Sequence, residues 1–218
     1  MPRKLLHKSD SLPYHVTARS NNRENFYLSI ERLWELIGSE CLKLSLVYEV
    51  EFHAFVLMPN HFHTLMTVPH HDLGKVMSIF MGSVTRSANL LSGRSGHFFG
   101  GPYHWSLVNS SRYFGHALKY VYRNPVRANL CMRVEDYPFS TLQGLLGSAH
   151  LPFALSYTRV GMESALPSVE TYSQLEWLNR PFPKESEALI QRGLRKKLFD
   201  VIIDRQTRKP FEPLNQLL

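Results

Sequence analysis

Cysteine is scarce in this 218-residue chain, with Cys41 and Cys131 the only two. A disulfide framework is excluded as the basis of the fold, and a reducing, cytoplasmic setting is expected. No stretch reaches the roughly 18 uninterrupted apolar residues of a membrane-spanning helix, so no membrane association is expected. The opening segment, Met1 to Asp10, is basic and has no apolar run of signal-peptide length. There is no internal repeat and no low-complexity tract, and no Gly-Lys-Ser/Thr phosphate loop of the kind an added helicase domain would carry.

What is present is a globular composition, 44% hydrophobic and 12% aromatic, enough for one sizeable core with an appendage. Lys and Arg number 25 against 18 Asp and Glu, giving +7 and an isoelectric point near 9.5. That balance favours a polyanionic partner without identifying one.

The most informative stretch is His61-Phe62-His63, flanked on both sides by β-forming residues. Side chains alternate along a strand, so the two histidines project the same way, roughly 7 Å apart, and Phe62 points into the opposite layer. Two neutral imidazoles on one sheet face are half of a divalent-metal site. With 11 histidines in the chain, a chance pairing is also expected, and a second signal is needed.

That signal lies between Ser110 and Pro125. Either Ser110 or Ser111 can cap a helix, Pro125 is expected to stop it, and Phe114, Ala117, Leu118 and Val121 supply a buried stripe at helical spacing. Tyr120 and Asn124, four apart, share a face off the centre of that stripe. Together they offer a phenolic nucleophile and an oxygen ligand. Singly, they fit a core-edge tyrosine and an asparagine that ends a helix.

Along the rest of the chain, Tyr14–Arg19 reads as a first strand. Ser29 caps a helix burying Ile30, Leu33, Trp34, Ile37, Cys41 and Leu44. Phe52–Met58 and His61–Val68 form a hairpin across a Pro-Asn turn. Asp72 starts a helix with Leu73, Val76, Met77, Phe80, Val84 and Ala88 inward and Arg86 near its end. Tyr103–Val108 is a further strand. The order β-α-β-β-α-β-α gives an α+β, ferredoxin-like antiparallel sheet that buries one face under helices and can leave the other to a ligand. His61 and His63 are expected to face the Tyr120 helix. Composition changes after Gly147, so residues 1–147 read as one domain and 148–218 as an extension. In the extension, Leu151–Tyr172 has no clear period and Glu185–Ile203 reads as a helix bearing Arg192, Arg195, Lys196 and Lys197, followed by Arg205, Arg208 and Lys209. That charge run suits a solvated face or nucleic acid.

Taken together, His61-Phe62-His63 and Tyr120 with Asn124 resemble the HUH (His-hydrophobic-His) single-tyrosine endonucleases. More narrowly, Tyr14-His-Val-Thr-Ala-Arg-Ser-Asn-Asn-Arg23, Ala54-Phe-Val-Leu-Met-Pro-Asn-His-Phe-His63 and Tyr120-Val-Tyr-Arg-Asn-Pro-Val-Arg-Ala-Asn-Leu130 resemble the REP-associated tyrosine transposases, over about residues 10–147. The resemblance implies a metal-dependent endonuclease and strand transferase acting on single-stranded or hairpin DNA, specifically palindromic repeats. Tyr120 is then the nucleophile, and a phenol with a pKa near 10 is helped towards phenolate by a nearby dication. His61, His63 and Asn124 are the implied metal ligands, for Mg²⁺ or Mn²⁺ rather than zinc. Arg19, Arg23, Arg86 and Arg127 are the candidate DNA contacts, with His15 lining the same face.

One segment departs from the family pattern. Where relatives carry Gln-Gly-Arg and an aromatic residue, this chain has Gly100-Gly101-Pro102-Tyr103-His104-Trp105, so the arginine is missing. His104 replaces that charge only partly at neutral pH, while Trp105 suits either base stacking or the core. The resemblance favours a monomer over a dimer. Competing expectations are a hairpin-DNA-binding protein without cleavage, a replication-initiator-like nickase and a small-molecule metallohydrolase. The last wants a carboxylate base beside the histidines, and none is obvious.

Overall fold

The computed structural model describes residues 9–156 and 172–199. Alternation and capping set the first elements. β1 (Tyr14–Arg19) leads through a turn at Asn21–Arg23 to α1 (Ile30–Tyr48), where Ser29 Oγ accepts from the Arg32 amide. β2 (Glu51–Met58) and β3 (His61–Thr67) form the expected hairpin. Asp72 caps α2 (Leu73–Ser92) by accepting from the amides of Gly74 and Lys75, and Leu73, Val76, Met77, Phe80, Val84 and Ala88 are all buried. β4 (His104–Val108) and α3 (Ser111–Arg127) follow, and Ser110 caps α3 through the Tyr113 amide. Beyond a single turn, α4 (Leu142–Leu145), come α5 (Tyr172–Asn179), α6 (Lys184–Leu194) and β5 (Leu198–Phe199).

The strands lie in the order β2-β3-β1-β4-β5. The α+β expectation holds, with two corrections. The sheet is mixed, because β5 runs parallel to β4. Neither face is bare. α1 and α2 close one face over Phe52, Phe55, Phe62 and Met66, and α3, α5 and α6 cover much of the other over Val56, Leu65 and Val108.

The helix expected over Glu185–Ile203 ends at Leu194. Phe199 is fully buried against Tyr113, and β5 meets amides of the β4 edge, with Leu107 and Asn109 donating to Lys197 and Phe199. Satisfying an open sheet edge and burying an aromatic ring outweigh continuing a helical period. Gly193 makes this possible, since a Cβ there would lie 2.4 Å from the Phe199 ring. Leu151–Tyr172 is described only to Ser156 and at Tyr172. Val201, Ile202, Arg205, Arg208 and Lys209 lie outside the described residues.

Proline does not stop α3. Pro125 sits inside it, and the helix continues to Arg127. Its missing amide would leave the Val121 carbonyl unpaired, but the Asn124 carboxamide donates to that oxygen (3.4 Å) and to the Tyr120 carbonyl (2.8 Å). α5 and α6 dock on the outer side of α3. Lys119 lies over the Trp177 and Phe182 rings, and Arg123 donates to the carbonyls of Leu178 and Asn179. Burial, then the nearby Arg123 and Arg180, push the Lys119 ammonium down to about 8. Among the described residues no helix is long and apolar enough to cross a membrane.

Candidate active site

Register places the site. On β3, His61 pairs with Arg19 and His63 with Thr17 of β1, and Thr17 pairs in turn with His104 of β4. Because faces alternate, His15, Thr17, Arg19, His61, His63, His104 and Ser106 share one side. Phe62 takes the other, fully buried and stacked on Phe55 at 5.2 Å. α3 crosses the shared side, and Tyr120 stands edge-on to His63 and His15, with centroids 5.8 and 6.1 Å away. Tyr122, two residues on, is buried and hydrogen-bonded to Thr141, so only Tyr120 reaches the site.

These groups line a cavity of about 970 Å³ that holds His15, His61, His63, Tyr120 and Asn124 together. Arg19, Arg23 and Arg127 also border it. Arg127 sits 5.1 Å over the Tyr120 ring and pairs with Glu187 of α6. Arg86 is not brought here. It is exposed on α2, which packs on the Phe62 face, so its placement does not support the expected shared contact. Trp105 also faces away, edge-on to Tyr14 with Lys197 over its ring. Gln191 of α6 and Arg195, just past its end, join the lining. Sequence reasoning saw Arg195 only as part of a charge run, and nothing local links it to a strand far earlier in the chain.

The Arg19-to-Gly100 approach is tight. The Gly100 amide donates to the Arg19 carbonyl, and a Cβ on Gly100 would lie 2.7 Å from the Ser20 carbonyl oxygen. The glycine-rich segment therefore hugs the end of β1, and His104 follows on β4, paired with Thr17.

The histidines are held neutral. Burial pushes His15 down to about 4, and burial followed by the Arg19 charge does the same to His61. His63 is lowered well below its ordinary value by burial first, then by His15, His61, Arg127 and Arg19. Neutral imidazoles are what a metal requires. His61 Nδ1 bonds Asn60 Oδ1 at 2.6 Å, a contact that makes Nδ1 the donor and leaves Nε2 with its lone pair. Asn124 spends its NH₂ on two helix carbonyls, which assigns the amide and turns Oδ1 outward, towards Arg127 Nη1 at 3.5 Å. Among the described residues no three His, Cys, Asp or Glu side chains gather to hold a metal. The donors that share the cavity are two imidazoles and one amide oxygen, with no carboxylate, a set able to hold a divalent cation while leaving positions open.

The buried neutral histidines predict acid sensitivity. His15 and His53 each sit near 4 when folded, against about 6.5 when unfolded. Because the folded values are depressed, the stability they contribute is present above about 6.5 and is lost as pH falls towards 4. By pH 5 the loss is on the order of 2 kcal/mol for each of these two. Urea midpoints at pH 7 and pH 5 check this, and equal midpoints contradict it.

No protein-family model matches the chain. In sequence it is similar to the REP-associated tyrosine transposase of Escherichia coli (strain K12), 23% identical over 131 residues, covering 59% of this chain and 74% of that protein. In fold it matches a solved structure of the REP-associated tyrosine transposase bound to a REP hairpin. That match has a TM-score of 0.58 and 19% identity, and covers 72% of this chain and 93% of the other.

Proposed function

We propose, from the likeness in sequence and fold to REP-associated tyrosine transposases, that this chain binds hairpin or single-stranded DNA and cleaves and rejoins one strand through Tyr120. The observation that carries the reading is convergence: one cavity holds a phenol, two neutral imidazoles, an outward amide oxygen and a rim of arginines.

In the proposed step, Tyr120 Oη attacks the phosphorus of one linkage. An Oη–P bond forms, the P–O3′ bond breaks, the phenolic proton goes to solvent, and the departing 3′-oxygen takes a proton from solvent and leaves as a 3′-hydroxyl. The 5′ end stays on Tyr120 as a phosphodiester, so a second 3′-hydroxyl can reverse the step without ATP. His61, His63 and Asn124 would hold Mg²⁺ or Mn²⁺, which when bound draws charge from a non-bridging phosphate oxygen. Arg19, Arg23, Arg127 and Arg195 offer the strand its phosphate contacts, and Arg127 over the Tyr120 ring limits how the ring swings.

A labelled hairpin oligonucleotide tests this. With Mn²⁺ the protein nicks the strand at one position, and chelation with EDTA stops nicking while hairpin binding persists. Binding without nicking under every metal condition would instead support a hairpin-binding protein that does not cleave.

A further inference from the structure

His15 lies beneath the site, and the proposed chemistry does not use it. It is buried, its ring lies edge to edge with that of His63 and nearly coplanar with it (17° between planes, centroids 5.2 Å apart), and its Nε2 lies 3.0 Å from His63 Nδ1. One of those two nitrogens must carry the shared proton. If His15 Nε2 carries it, His63 is protonated at Nε2 and cannot offer that nitrogen to a metal. If His63 Nδ1 carries it, Nε2 of His63 keeps its lone pair and His15 is protonated at Nδ1.

His15 Nδ1 is buried without a hydrogen-bond partner, and so is Ser106 Oγ. The two residues are register partners on adjacent strands, on the same face of the sheet. Directly opposed side chains across antiparallel strands have Cβ atoms about 4.5–5.5 Å apart. A serine hydroxyl is both donor and acceptor and turns to suit its neighbour. Both atoms lack a partner, so they do not bond each other, and a hydroxyl that can donate or accept suits either tautomer; the choice between the two comes from what a metal-binding His63 would need.

We infer that His15 is a positioning residue: its Nε2 accepts the His63 Nδ1 proton and so fixes His63 as the tautomer whose Nε2 can bind a metal. The inference deepens the metal-site reading above and rests on it for its purpose, although the tautomer itself can be observed without metal or DNA. Fixing a ligand imidazole through its other nitrogen is worth about 10- to 100-fold in metal affinity at comparable sites.

Long-range ¹H–¹⁵N spectra of histidine-labelled, metal-free protein test the tautomer directly. His63 protonated at Nδ1 with Nε2 bare is expected, and His63 protonated at Nε2 overturns the inference. Mn²⁺ titration followed by electron paramagnetic resonance supplies the second readout. His15→Leu should weaken Mn²⁺ by about 10- to 100-fold, and His15→Gln, whose amide oxygen can accept from Nδ1–H, should recover most of it. A His15→Leu protein that folds and binds Mn²⁺ like the unsubstituted chain overturns the role. If the unsubstituted chain shows the expected tautomer yet binds no Mn²⁺, the metal-site reading fails and the tautomer assignment stands. If His15→Leu does not fold, the His63 spectra and His15→Gln decide.

Discussion

Replacing Tyr120 with phenylalanine is expected to abolish the covalent protein–DNA adduct and to lower strand nicking by at least about 10³-fold, since the attacking oxygen is gone. Hairpin affinity should change by no more than about threefold, under 1 kcal/mol. The phenyl ring keeps the edge-on contacts to His63 and His15 and the Arg127 guanidinium over its face. Gel-shift binding and denaturing-gel nicking on one substrate separate the two quantities. A tyrosine that only lined the cavity would give a variant that still nicks.

The second large effect concerns the residue between the histidines. Phe62 is fully buried, stacked on Phe55 and edge-on to Phe80 and Phe99. Phe62→Ala removes a large ring from a packed layer and should cost about 3–5 kcal/mol, a large share of the roughly 5–15 kcal/mol that holds a domain folded. Its functional consequence follows from alternation. The ring anchors β3 to α2 on one side while His61 and His63 hang from the other, so the placement of the two imidazoles should be lost with the fold. Phe62→Leu, which refills part of the volume, should show a smaller loss. Urea denaturation of both variants checks this, and a Phe62→Ala midpoint within experimental error of the parent contradicts it.

Much of this was legible in the sequence for a common reason: the signals were local. Alternation in Tyr14–Arg19 and His61–Thr67 assigned the faces, and helical periods assigned the buried stripes of α1 and α2. What escaped depended on partners far along the chain. β5 is two residues long and exists because β4 has an open edge and Phe199 has a place to bury. Arg86 has the charge of a DNA contact, but α2 packs against the Phe62 side, which carries it away from Tyr120. Arg195 reaches the cavity only because α6 docks over α3. The stop expected at Pro125 failed for a subtler reason, since the preceding side chain, Asn124, replaces the hydrogen bond that proline cannot make. The same bond turns the Asn124 oxygen outward, so a single residue extends the helix and presents an amide oxygen to the cavity.

The account is tested most directly by mass spectrometry of the protein after reaction with the hairpin and Mn²⁺. A peptide containing Tyr120 should carry the 3′ fragment of the cleaved strand through its 5′-phosphate, and Tyr120→Phe protein should carry nothing. Nicked product with no protein-linked fragment, or a fragment attached to any other residue, Tyr122 included, would contradict it.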